Sequence, residues 1–330
     1  MSIVVIKPGM LSSFQDAGRH GHQPLGISVV GAMDQRAHQL ANILVGNDAH
    51  TASLEITLTG PTLQFKKPCC IALSGADLSA TLNGQPIAMN RPIIVRPQDE
   101  LAFGPRKHGT RCYLAVHGGF ALAPVLGSTS TYLRSHFGGW HGRALQKGDE
   151  IPLTRPLKNK GLEDLAMELW GIKIYLPSAI ADSSRQRIRL IKSALWNEFT
   201  PESCVALLTE TFKVSPDSER MGYRLSGTPL LMSKPRQLLS EATTFGTIQV
   251  PAGGQPIILM ADRQTTGGYP KMAYVATVDL PLLAQLAPGD ALQFEAITLE
   301  RAQELDAARE RAWQALAQTL KPIQDLLFTH

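Results

Sequence analysis

The sequence predicts a mainly β protein with minor helix, arranged as two successive β-rich lobes. Three observations carry this. Short apolar runs recur along the chain and are punctuated by 28 glycines and 22 prolines in 330 residues. Turn signals fall about ten residues apart, a spacing that suits a barrel or sandwich and not alternating βαβ units. Helical periodicity is confined to a few stretches.

The elements follow in order. Ile3 to Ile6 reads as a strand that stops at Pro8-Gly9. From Asp34 to Leu44 the spacing turns helical. Ala37, Leu40, Ala41 and Leu44 share a face, Asp34 is suited to accept the free N–H groups of the first turn, and Gly46 ends the helix. Strands are expected from Ser53 to Leu58, Ile71 to Leu73 and Ser79 to Leu82. Asn83-Gly84 then supplies a hairpin turn, because both residues accept positive φ. Pro92 to Val95, Leu101 to Phe103, Arg111 to Val116 and Ile151 to Leu153 continue the series. The pattern loosens between Thr154 and Arg185, where Lys158-Asn159-Lys160-Gly161 reads as an exposed connector and Leu162 to Leu169 as a short helix. Strands resume at Ile188 to Ile191, Thr211 to Ser215, Ile248 to Val250, Ile257 to Met260, Ala273 to Val278 and Leu292 to Phe294. A final helix from Leu299 to Leu320 carries Leu305, Ala308, Ala312, Leu316 and Leu320 as an apolar stripe. The expected organisation is an N-terminal lobe at 1–155, a connector at 156–185, a second lobe at 186–296, and a helix and tail at 297–330.

Composition excludes several classes. Apolar residues are 44% and charged residues 18%, so the chain is globular and not disordered. Its formal charge of +4 is spread along the sequence, which speaks against nucleic acid as a partner. No run reaches the ~18 apolar residues of a membrane helix, and the start lacks a basic region and cleavage site, so a cytoplasmic location is expected. Cys69, Cys70, Cys112 and Cys204 form no C-x-x-C pair and read as buried, reduced thiols.

No P-loop, H-E-x-x-H, G-x-S-x-G or dinucleotide fingerprint is present. Four polar blocks stand out instead. In Gln15-Asp16-Ala17-Gly18-Arg19-His20-Gly21-His22, the two histidines would share a face if the stretch is a strand, but no third metal ligand is indicated. Gly31-Ala32-Met33-Asp34 is either a helix entry or part of a site. Gly127 to Arg134 places Ser128, Thr129, Ser130 and Thr131 beside Arg134, which suits a carboxylate or phosphate, or a solvated loop. Arg220 and Arg224 flank Gly222 as an anion clamp or as surface ion pairs. Downstream, Asp262-Arg263-Gln264 precedes Thr265-Thr266-Gly267-Gly268-Tyr269-Pro270, a phosphate cradle or a tight turn at the end of an apolar strand.

Taken together the blocks resemble the family called allophanate hydrolase subunit 2, or biotin-dependent carboxyltransferase-like proteins, on the branch of the C subunits of prokaryotic 5-oxoprolinase. The resemblance rests on Lys7-Pro8-Gly9, Gln15-Asp16 with Gly18-Arg19, Gly31 to Asp34, Leu54-Glu55-Ile56-Thr57, Ser74 to Leu78, and Gly127-Ser128 to Arg134. In the second half it rests on Arg220 to Leu225, Leu239-Ser240-Glu241, Gln249-Val250-Pro251, and Asp262 with Gln264 to Pro270. Val30 and Lys192 to Trp196 depart from the family pattern.

The resemblance implies two cyclophilin-like β-barrel lobes and an active site shared with a B subunit related to allophanate hydrolase subunit 1, in a complex with an A subunit. The implied reaction is ATP-dependent opening of 5-oxoproline to glutamate, with Mg²⁺ accompanying ATP. Asp262, Gln264, Thr265 and Thr266 are the candidate catalytic residues. Gly267, Gly268, Tyr269, Arg220, Arg224, Ser128, Ser130, Arg134, Gln15, Asp16, Arg19 and Asp34 are the candidate substrate- or phosphate-binding residues. No metal ligand is assigned. The alternatives are carboxyl transfer from carboxybiotin to a urea-like amide, and a non-catalytic regulator of a kinase-inhibiting partner. The chain has no Ala-Met-Lys-Met lysine, so no biotin is expected on it.

Overall fold

The computed structural model describes every residue except positions 1, 156, 159, 182–184, 186, 235–237 and 330. Positions 156, 159 and 182–184 of the expected connector therefore lie outside the described residues. The chain forms two compact units, one of Met1–Arg19, Val30–Pro177 and Trp313–His330, the other of His20–Val29 and Ser178–Ala312.

Unit 1 holds two antiparallel sheets. One runs in the order Glu150–Pro152, Ser2–Lys7, Thr62–Phe65, Glu100–Ala102, Thr81–Leu82 and Gln85–Pro86. The other runs Leu11–Gln15, Ser53–Thr57, His108–Val116, Cys69–Asp77 and Ile93–Val95. Their apolar residues, among them Ile3, Phe14, Ile56, Phe65, Leu73 and Leu114, form one core. The Asn83-Gly84 hairpin is present, with φ of 52° and 79° at its two turn residues. Helix Gln35–Leu44 packs on Cys69–Asp77 and His108–Val116 through the predicted face.

Unit 2 is a closed barrel of seven strands, in the order Arg187–Lys192, Lys271–Val275, Thr247–Gln249, Ile257–Leu259, Gly222–Ser226, Phe212–Val214 and Ala291–Ala296. The first and last of these pair in parallel and close the ring. Cross-strand register puts buried Leu225, Tyr223, Ile258, Ile248 and Ala273 on one face. Helix Leu299–Thr319 half-buries Leu305, Ala308 and Ala312 of its expected stripe and buries Leu316, with Leu320 buried just beyond it, and a further helix, Lys321–Thr329, follows.

Several elements carried no strand or helix signal. Leu11–Gln15 buries Ser12, Ser13 and Gln15, so it lacks alternation. Gly222–Ser226 begins with a glycine that weakens a strand reading. Helix Pro201–Thr209 had the right start, since Thr200 accepts from Ser203 N at 3.2 Å and Pro201 opens the first turn. His20 and His22 lie in turn and loop backbone and not on a strand.

Cys69, Cys70 and Cys112 are fully buried, and burial pushes their thiols up, Cys70 to about 12. The thiolate is the reactive form. These three should therefore resist iodoacetamide in the folded chain at neutral pH and react after denaturation, as read by peptide mass mapping. Rapid labelling of the native chain at any of the three would contradict this burial.

Candidate functional site

In unit 1 the hydroxyl block and the Gln15–Arg19 block meet. The anion held by the hydroxyl run is the carboxylate of Asp16 itself. Its Oδ1 accepts from Gly18 N at 2.8 Å, Ser128 Oγ at 2.7 Å and Ser130 Oγ at 2.5 Å. Its Oδ2 accepts from Thr129 N at 2.6 Å and Thr129 Oγ1 at 3.0 Å. Burial raises the Asp16 pKa, but the bonds from Ser130, Gly18, Ser128 and Thr129 outweigh it and hold the carboxyl below its ordinary value. Ser128 and Ser130 therefore spend their hydroxyl protons inside the chain, which is a correction to their reading as donors to an external phosphate.

Arg19 is fully buried and ties down carbonyls, donating from Nε to Val125 O at 2.8 Å and from Nη2 to Ser130 O at 3.0 Å. The Gln15 amide donates to Ser13 Oγ and Thr131 O. Asp34 is a helix cap, accepting from Ala37 N at 2.9 Å. Its own backbone N–H donates to the hydroxyl of Tyr113, which in turn donates to Glu55. Arg134 lies exposed in the short turn Leu133–Ser135.

In unit 2 the structure joins Arg220 to Asp262 and sets Arg224 apart. Arg220 Nε and Nη2 donate to the two carboxylate oxygens of Asp262 at 3.0 and 2.8 Å, and both side chains are almost completely buried. Asp262 N also donates to Arg220 O. This double clamp fixes the start of the loop that runs through Gln264 to Pro270. Arg224 is exposed on strand Gly222–Ser226. The reading of Arg220 and Arg224 as one clamp is corrected accordingly: Arg220 grips a carboxylate of the chain, and strand alternation turns Arg224 to solvent.

The loop is held at further points. Thr266–Gly267 pairs antiparallel with Glu241–Ala242 as a two-stranded sheet. Gln23 Nε2 donates to Thr243 O at 3.0 Å and Thr265 O at 2.9 Å, and Ser28 Oγ donates to Arg263 O. Lys271, itself buried, donates to Glu241 Oε2 at 3.0 Å and Ala242 O at 2.8 Å. A Cβ on Gly267 would lie 2.7 Å from Gln249 Nε2 and 3.3 Å from Gln264 Nε2, so a side chain there would push these amide ends aside. Gln23 and Lys271 gave no separate signal in the sequence, because each acts on a partner distant along the chain.

Gly268, Tyr269 and Pro270 form one side of a pocket of about 500 Å³, whose other walls include Leu230, Leu231, Met232 and Val250. Among the described lining residues there is no Lys or Arg. The arrangement offers backbone groups and an exposed Tyr269 at the edge of an apolar recess.

Residues 25–296 match the family described as carboxyltransferase domain, subdomain A and B. The chain belongs to this carboxyltransferase family. It is 38% identical over 313 residues to the C subunit of 5-oxoprolinase from Escherichia coli, covering 95% of this chain and 97% of that protein. The equivalent protein of Haemophilus influenzae is 38% identical over 299 residues, covering 91% of this chain and 92% of that protein. Among solved family structures, the urea carboxylase of Kluyveromyces lactis superposes with a TM-score of 0.85 at 30% identity, covering 96% of this chain and 29% of that chain. The family resemblance drawn from the motifs is thereby confirmed. Among the described residues, no helix is long and apolar enough to cross a membrane.

Proposed function

We propose that this chain is the C subunit of an ATP-dependent 5-oxoprolinase that opens 5-oxo-L-proline to L-glutamate together with A and B subunits. The observation that supports it most is the end-to-end match to the Escherichia coli 5-oxoprolinase protein, 95% of this chain against 97% of that one. A lactam carbonyl is a poor electrophile, and ATP supplies the phosphoryl group that makes its oxygen a leaving group. Water then adds at the activated carbon, collapse breaks the ring C–N bond with a proton passing to the departing amine and leaves an acyl phosphate, and a second water releases phosphate to give glutamate.

This chain's share is positioning. The loop Gln264 to Pro270, braced by the Arg220–Asp262 pair, presents Thr265, Thr266 and the N–H groups of Gly267 and Gly268 as donors to charge developing on oxygen. The apolar recess beside Tyr269 takes ring methylenes and keeps water from competing. ATP, with Mg²⁺, is the phosphoryl donor that this reading requires of the complex.

Carboxyl transfer to a urea-like amide is the second reading, favoured by the superposition on urea carboxylase. It requires a biotin carrier on another chain. The readings separate on reconstitution with A and B subunits, by measuring ATP hydrolysis and glutamate formation with 5-oxoproline. Turnover is expected only in the assembled complex. A complex that makes no glutamate, or robust turnover by this chain alone, would overturn the proposal.

A further inference from the structure

Shielded arginines elsewhere in the chain are engaged. Arg220 grips Asp262, and Arg189 donates to both oxygens of Asp279. Arg111 lies 3.7 Å from Glu55, and Arg19 donates to the carbonyls of Val125, Ser128 and Ser130. Arg263 differs. Its guanidinium makes no hydrogen bond or ion pair with any described residue, and its Nε is shielded from water. The Phe245 ring centre lies 5.9 Å from the guanidinium carbon, at the outer reach of a cation–π contact. Asp262, next to it along the chain, turns both carboxylate oxygens to Arg220.

Such a cation is costly to keep. Burial lowers the Arg263 pKa to about 10, against the opposing effect of Asp262, so the group stays charged at neutral pH. Charges withdrawn from water are normally paired. An unpaired one lowers stability, and departures of that kind collect at functional positions. The backbone that carries it is fixed. Arg263 N donates to Met260 O at 3.2 Å, Ser28 Oγ donates to Arg263 O at 2.9 Å, and Gln23 Nε2 donates to Thr265 O at 2.9 Å. The Nη groups keep contact with solvent, so the fork can be reached from outside.

A guanidinium only donates, and its planar fork fits two oxygens of one anion. We propose that Arg263 binds an oxyanion of a small ligand, a carboxylate or a phosphoryl group, at the head of the Gln264 to Pro270 loop. It supplies the loop with a cation that the described lining of the recess at the loop's other end does not contain. The proposal stands on the unpaired guanidinium and not on the reaction proposed above.

The test is an NMR titration of the full chain, isotopically labelled at nitrogen. It follows the Nε–Hε resonance of Arg263, identified by its loss in Arg263→Lys, and the backbone amides of residues 262–265, which the variants retain. Inorganic phosphate and acetate are the probes. At least one should shift these resonances saturably, and the tighter of the two tells a phosphoryl group from a carboxylate. Arg263→Lys keeps the charge and loses the fork, so its dissociation constant should rise about tenfold. Arg263→Met should bind more weakly still. It should also melt at or above the parent temperature, because it removes an unpaired, largely buried charge. No saturable shift with either anion, or unchanged affinity in Arg263→Met, would overturn the site. So would an Arg263→Met chain that melts well below the parent, since the guanidinium would then serve the fold. A complex without 5-oxoproline-dependent ATP hydrolysis would remove the proposed reaction and leave this binding result standing.

Discussion

Asp262→Ala is expected to destabilise unit 2 by about 3–5 kcal/mol, the usual cost of leaving one member of a buried ion pair uncompensated. The Arg220 side chain is only 5% exposed, so water cannot replace the carboxylate it loses. Asp262→Asn should lower the melting temperature in the same direction, since a neutral amide cannot match both charged contacts. Replacing both partners, Arg220→Met with Asp262→Leu, should recover most of the loss, because the pair's desolvation penalty goes with it. Turnover of the assembled complex should fall in step with the folded fraction. A single Asp262 variant that melts like the parent and has lost turnover would instead place this carboxylate in the chemistry.

Asp16→Ala should cost on the order of 3 kcal/mol, since it strips the acceptor from five donors at once. The milder Asp16→Asn carries a pH signature. The folded state holds the Asp16 carboxyl below its ordinary value of 3.8. Its contribution is therefore complete above the unfolded pKa and disappears as pH falls through the lower folded value. Urea unfolding of parent and Asp16→Asn should differ by a constant amount from neutral pH down to about pH 5 and converge below the unfolded pKa of about 3.9. A gap independent of pH would show that the ionised form of Asp16 is not what the hydroxyl run recognises.

These two sites also mark the limit of what the sequence discloses. The Asp34 cap and the helix after it were legible because donor and acceptor lie three residues apart. The Asn83-Gly84 turn was legible for the same reason, since its constraint is local. Arg220 and Asp262 were both visible as chemistry-bearing residues, but not as each other's partners, because 42 positions separate them. Ser130 and Asp16 are 114 positions apart. A run of hydroxyls announces donors; only the fold reveals that their acceptor comes from within. Tertiary context also hid Leu11–Gln15, whose serines are buried among polar partners and give no period-two pattern.

The parallel closure of the barrel has a consequence for how the protein is made. Arg187–Lys192 must wait for Ala291–Ala296 before either edge is sealed. About a hundred residues separate them, and a ribosome adds roughly 5–20 residues per second, so an open edge persists for on the order of ten seconds on each nascent chain. Unit 1 waits longer still, because Trp313–His330 joins it only after the whole of unit 2 has been made. Unit 1 is therefore unfinished until residues 313–330 have been made, so the speed of translation sets how long its apolar surface stays uncovered.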